Sequence, residues 1–211
     1  MKDVSANLRP TRRIDRRSAG VAPVTGADVY EAALTAFADR GYFGTSLKDI
    51  ANAVGLQAPS LYNHISSKAD LLSEIVLDTL STVFADFEAA VAAHDNPVDQ
   101  LREATYVYAL HHATHRRETM VVNQDARHLE GKSLEQAQDM RRTHERDFRR
   151  LIADGIKDGY FQHPSPKLAS FAIREMCVSV ARWFHDQGDL KPEDVARTYA
   201  SQALRVVGVT P

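Results

Sequence analysis

The stretch GYFGTSLKDIANAVGLQAPSLYNHISSKADLL, Gly41 to Leu72, carries the clearest signal in this 211-residue chain. Ser46 and Asp49 stand three apart ahead of Ile50 and Ala51, the spacing at which a hydroxyl and a carboxylate satisfy each other's backbone N–H groups at a helix start. Gly55 interrupts that helix, a second short helical run follows from Gln57 to His64, and Ser67 and Asp70 repeat the spacing before Leu71 and Leu72. Two short helices joined by a glycine turn, the second opening on polar side chains, predict a helix-turn-helix of the kind that enters a DNA groove.

Such a helix must present base-reading side chains at its N-terminal turn and be held by phosphate contacts. Gln57 suits the N6 and N7 edge of adenine, Ser60 suits a base or a phosphate, and Ala58 and Pro59 offer small apolar surfaces to thymine methyls. Tyr62, Asn63 and His64 suit the backbone and groove edges, while Leu61 and Ile65 fall on the opposite face, toward Phe37, Ile50 and Ala51. Thr45 and Ser46 at one helix start and Lys68 at the next are the expected phosphate contacts; a Ser or Thr there also serves simply as a cap, and Lys48 reads as a solvated charge.

Upstream, Thr25 and Asp28 mark another helix start, and Val29, Ala32, Ala33, Ala36 and Phe37 fall on one helical face that ends at Gly41. Residues 1–24 lack apolar periodicity and read as a basic arm, a solvated tail or one that places Arg12 and Arg13 in a minor groove. Residues 1–72 hold nine Lys/Arg against seven Asp/Glu, plus 2, so within a chain of net charge −2 the remainder is −4. That asymmetry fits a protein that meets phosphate at one end.

Downstream, six long helical segments are expected at about 67–94, 98–116, 119–130, 133–157, 167–186 and 192–207, divided by Pro- and Gly-containing breaks, with no strand pattern. The fold class is therefore all-α: a basic arm (1–24), a three-helix DNA-binding domain (25–72) and a larger helical domain (73–211). A composition of 44% hydrophobic and 26% charged residues supports a full core, and no run of about 18 apolar residues argues for a membrane span. No secretory pattern is present either, so the cytoplasm is the expected location. The single cysteine, Cys177, reads as a small core side chain, with redox sensing as the lesser alternative.

The run from Val29 through Leu72 resembles the TetR family of transcriptional regulators, in its Ala/Phe-rich first helix, Gly41-Tyr42, Thr45-Ser46, Asp49-Ile50-Ala51, Gly55, Leu61-Tyr62, His64, Lys68 and Leu71-Leu72. Gln57 stands where that family commonly has Ser or Thr, and Ile65 where it commonly has Phe. The resemblance implies a homodimeric regulator, a repressor, on a palindromic double-stranded operator, released by a small hydrophobic effector. It also implies a four-helix dimer interface. Leu168, Phe171, Ala172, Glu175, Met176 and Ser179, with Val195, Tyr199, Ala203, Val206 and Val207, form stripes on the last two helices that face either a partner or the chain's own core.

A looser likeness, through residues 121–129, 171–174 and 182–184, is to the TetR branch that senses acyl-CoA thioesters. It implies an apolar tunnel with arginines for phosphate, and the expected ligand contacts are Tyr108, His112, Gln124, Arg174 and Trp183. Arg174 in an apolar helix requires a carboxylate or an anionic ligand. His111, His112 and His115 invite a metal or a histidine-dependent enzyme, but two imidazoles four apart are not a site, and no nucleophile elbow or phosphate-binding glycine loop accompanies them. No cofactor and no metal are expected. A regulator controlled by another small molecule or by a protein partner is the alternative.

Overall fold

The computed structural model describes residues 23–185 and 187–209, and among these every regular element is helical. Arg12 and Arg13 lie outside the described residues. Helix α1 (Gly26–Arg40) starts at Thr25, whose N–H donates to Asp28 Oδ2 at 2.8 Å while Asp28 N–H donates back to Thr25 Oγ1. Helix α2 (Leu47–Ala53) repeats this reciprocal cap with Ser46 and Asp49. At Ser67 only half of the expected box forms: Asp70 N–H donates to Ser67 Oγ at 3.0 Å.

Between α2 and α3 (Ala58–Leu61) the chain turns at Gly55, whose φ of +73° is strained for any residue with a Cβ. The second motif helix is a single turn; residues 62–64 continue it as an irregular turn rather than the longer helix expected to His64. Leu61, Phe37, Ile50 and Ala51 share one buried cluster, with Ile65 packed at its edge, as the apolar spacing predicts.

The long helix α4 (Lys68–Ala92) runs uninterrupted past position 72. Its first turns give Leu71, Leu72 and Ile75 to the core of the N-terminal helices, and its last turns give Phe87 to the core of the remainder. Then follow α5 (Pro97–Thr114), α6 (Arg116–Asp125) with a 3₁₀ turn at Ala126–His128, α7 (Gly131–Lys157), α8 (Pro166–Trp183) and α9 (Pro192–Val206). Phe148, Ile152, Phe161, Ile173 and Leu204 fill the second core. Phe161 folds back so closely that a Cβ on Gly155 would lie 2.2 Å from its ring, which explains a glycine inside α7.

Helix α9 lies along α5. Consequently Val195, Ala203 and Val207, expected on a stripe open to either a partner or the core, are buried within the chain itself, and only Tyr199 and Val206 of that stripe keep partial exposure. The α8 stripe differs: Leu168 is 63% and Phe171 38% exposed. Cys177 is fully buried, and burial pushes its thiol pKa up, away from the thiolate that redox chemistry needs.

Candidate DNA-reading face and effector cavity

Around α3, Gln57, Pro59, Tyr62, Asn63 and His64 are exposed, with Ala58 and Ser60 partly so. Gln57 occupies the N-cap position without capping through its side chain, which leaves its amide unengaged. Tyr62 is 59% exposed although it follows the wholly buried Leu61, so the turn anchors on one side chain and presents the next.

The expected phosphate contacts divide. Thr45 is buried, and its hydroxyl donates to the carbonyl oxygens of Ala36 (2.9 Å) and Gly41 (3.0 Å), tying the α1–α2 turn together. Its N–H donates to Tyr42 O, so Thr45 is a structural residue and not a phosphate ligand. Ser46 is exposed, with its hydroxyl donating to Asp49 Oδ2 at 2.7 Å. Lys68 is partly buried, with Nζ 4.1 Å from the centre of the Tyr42 ring. Burial draws its pKa below the ordinary lysine value, opposed by the nearby Asp125 carboxylate.

That carboxylate belongs to a joint between the N-terminal helices and the rest. Buried Asp125, at the end of α6, accepts the Tyr42 N–H at 3.1 Å. His128, from the following 3₁₀ turn, stacks on the Tyr42 ring and meets the Phe43 ring edge-on at 4.4 Å. At the other end of α6, Arg117 bonds Thr35 Oγ1 (2.9 Å) and Glu31 (3.2 Å) on α1. Sequence reasoning missed this joint because its partners lie more than eighty positions apart.

The same α6 closes one side of a cavity of about 140 Å³ between α4, α5, α7 and α8. Leu80, Val83, Phe84, Val122 and Val178 supply apolar wall, and Tyr108, His111, His112, Thr119, Arg141 and Arg174 supply polar wall. Of the sequence-derived ligand contacts, Tyr108, His112 and Arg174 meet here. Gln124 does not: it is exposed, one position past the lining Asn123, with its amide toward Met120 Sδ. Trp183 does not either; it sits 40% exposed at the end of α8 against Phe184 and Tyr199. Arg141 and Thr119 went unrecognised because a polar residue on an amphipathic helix gives no sequence sign that it borders a cavity.

Burial shifts the titrating groups around the cavity. Burial lowers His112 to about 4 and His111 to about 3, with His115 and His112 adding to the effect at His111. His144, stacked on Phe84 beside the cavity, is lowered to about 3, by burial first and then by the charge of Arg174. Burial also raises Tyr108 to about 12, against the opposing Arg174. His112 Nδ1 donates to Tyr108 O at 2.7 Å, which assigns the proton to that nitrogen of the neutral ring. His111 and His115 stack 4.4 Å apart, and among the described residues no group of three or more metal-ligating side chains forms. Depressions of about 700 Å³ between α1 and α2 and between α4 and α5 are open surface grooves.

Residues 29–75 match the family described as bacterial regulatory proteins, tetR family, and residues 94–207 match the tetracyclin repressor-like C-terminal domain. The chain belongs to the TetR family. It is 28% identical over 184 residues to the HTH-type transcriptional repressor KstR2 of Mycolicibacterium smegmatis, covering 84% of this chain and 87% of that one. The TetR-family regulator PfmR of Thermus thermophilus has a crystal structure that is similar with TM-score 0.76 at 30% identity, covering 84% and 97% of the two chains. AibR, crystallised with isovaleryl coenzyme A and operator DNA, shares the fold at TM-score 0.75 and 23% identity over 84% of this chain and 96% of its own. As a TetR-family member the chain is a transcriptional regulator and not an enzyme, which disposes of the reading built on His111 and His115. No helix among the described residues is long and apolar enough to cross a membrane.

Proposed function

We propose that this regulator is a cytoplasmic homodimeric repressor that grips a palindromic operator through Gln57, Ala58, Pro59, Ser60, Tyr62, Asn63 and His64, with Ser46 and Lys68 toward phosphate, and is released by an acyl-CoA thioester. The observation that carries this reading is the double duty of α6. It lines the cavity at Thr119, Val122 and Asn123, and it bonds the DNA-reading helices through Arg117 and Asp125. An effector that wedges α6 outward pulls on the joint at Tyr42, and release follows if it binds the DNA-incompetent arrangement more tightly. KstR2 is a repressor and AibR was crystallised with an acyl-CoA, which supports repression and the effector class. The exposed Leu168, Phe171 and Trp183 support α8 as the principal dimer face.

The test is a mobility-shift titration on duplexes from upstream of the protein's own gene, repeated across salt concentrations. Expected are a dimer on each site, affinity falling steeply as salt rises, and dissociation on adding acyl-CoA thioesters. Absence of binding to any such duplex at low salt overturns the DNA assignment. Binding without release or thermal shift by any thioester overturns the effector class.

A further inference from the structure

Five buried side-chain polar atoms have no hydrogen-bond partner among the described residues, and three of them, His111 Nε2, Thr119 Oγ1 and Arg174 Nε, belong to residues that line the one cavity described above. Unpaired polar atoms are costly in a packed interior, so their convergence on one space favours a polar occupant able to bond them. Arg141 lines the same space from α7, and burial of its guanidinium lowers its pKa, with a smaller contribution from the charge of Arg174 and against Tyr108. One of its terminal nitrogens donates to Val122 O at 3.0 Å, which orients the guanidinium without neutralising it. Among the described residues neither guanidinium forms a salt bridge. Glu175, the one carboxylate lining the cavity, is exposed. The three surrounding imidazoles are neutral near pH 7, so the charge facing the cavity is that of two arginines, Arg174 half-buried and Arg141 exposed at the rim, against one exposed glutamate. Two like charges facing one space repel each other, and an entering oxyanion relieves both.

The volume limits what else comes with that charge. About 140 Å³ is close to the ~150 Å³ that holds one benzene ring, roughly six heavy atoms, and far below the space a whole coenzyme requires. We infer that the buried end of the effector is a short acyl group terminating in a carboxylate, clamped by Arg141 and Arg174, with any coenzyme portion left outside the cavity. This rests on the acyl-thioester reading above for the exposed end only. Arg141 is then the residue that, with Arg174, selects ω-carboxylated acyl groups over hydrocarbon ones.

The experiment compares glutaryl-CoA with 5-methylhexanoyl-CoA, whose isopropyl end has the shape of the carboxylate without its charge, and with free glutarate. Binding is read by calorimetry on the full-length protein and by release from DNA. The expected result is at least tenfold tighter binding of glutaryl-CoA than of the neutral thioester. That preference falls below twofold in Arg141→Gln and Arg174→Gln, returns in part with Arg174→Lys, and persists in Glu175→Gln. Helicity measured by circular dichroism establishes that each variant is folded, and the wild-type preference stands as a test without any variant. Equal or tighter binding of the neutral thioester overturns the carboxylate assignment and leaves the acyl-CoA reading intact. Binding of glutarate with no binding of either thioester keeps the oxyanion clamp and overturns the acyl-CoA reading. No binding of glutarate or glutaryl-CoA overturns the clamp.

Discussion

Thr45 and Tyr62 stand seventeen positions apart in the same motif and do opposite things. Thr45 closes the α1–α2 turn with two bonds from one buried hydroxyl, whereas Tyr62 projects from the surface beside buried Leu61. Thr45→Val keeps the shape and removes the single O–H that the two carbonyl oxygens share; the expected loss is about 1–3 kcal/mol in a urea unfolding curve. Tyr62→Ala is expected to leave that curve unchanged within about 0.5 kcal/mol and to weaken operator binding in a titration at fixed salt. A Tyr62→Ala protein that unfolds early would place Tyr62 in the core and remove it from the DNA face. Both residues were visible in sequence as part of a polar cluster at helix starts, yet a cap, a structural tie and a phosphate ligand share the same residue types. What separates them is burial, which a local pattern does not record.

At the scale of elements, α6 and its 3₁₀ turn connect cavity and DNA-reading helices. Asp125→Ala removes the acceptor for Tyr42 N–H and the carboxylate whose charge acts on Lys68. The expected outcome is a protein that still binds effector, with affinity by calorimetry within about threefold of wild type, but needs more effector to leave its operator because the joint no longer transmits the movement. Unchanged effector-driven release would show that coupling runs through α4 instead.

Helices α5 and α7 carry the pH response. His111 and His112 face Tyr108, Arg141, Arg174 and Glu175 across the cavity, His111 also stacks on His115, and His144 packs beside them near Arg174. All three histidines have folded-state pKa values depressed from 6.5 to about 3 or 4, so the unfolded chain binds more protons below 6.5. Their contribution is fully present above pH 6.5 and is lost as the pH falls toward those folded values, at up to about 1.4 kcal/mol per pH unit for each imidazole. Thermal midpoints measured from pH 7.5 to 4.5 should therefore drop, and His144→Phe, which keeps the stack on Phe84, should make the drop shallower. An unchanged slope in that variant would remove His144 from the acid response.

For the whole molecule, helix count, order and most boundaries were legible because caps, prolines and apolar spacing are local. Segments expected at 98–116, 133–157 and 192–207 are found as Pro97–Thr114, Gly131–Lys157 and Pro192–Val206. The surfaces were not. A stripe on α9 and a stripe on α8 look alike in sequence, but α5 covers the first and leaves the second bare. Phe171→Glu places a charge on that bare face and is expected to yield monomers by analytical ultracentrifugation, with operator affinity lost and helicity kept. Dimers that persist would move the interface away from this face of α8.

The chain alone determined an all-helical regulator with a helix-turn-helix near its N-terminus, because capping, turn chemistry and the 3.6-residue period act between neighbours a few positions apart. It also singled out Tyr108, His112 and Arg174, which line one cavity. Only the tertiary structure decided that Thr45 faces inward, that Gln124 and Trp183 miss the cavity, that Arg141 joins Arg174 in it, and that Asp125 holds Tyr42. Those facts depend on helices distant in sequence closing around one space. Burial, pairing and charge at a site are properties of that closure.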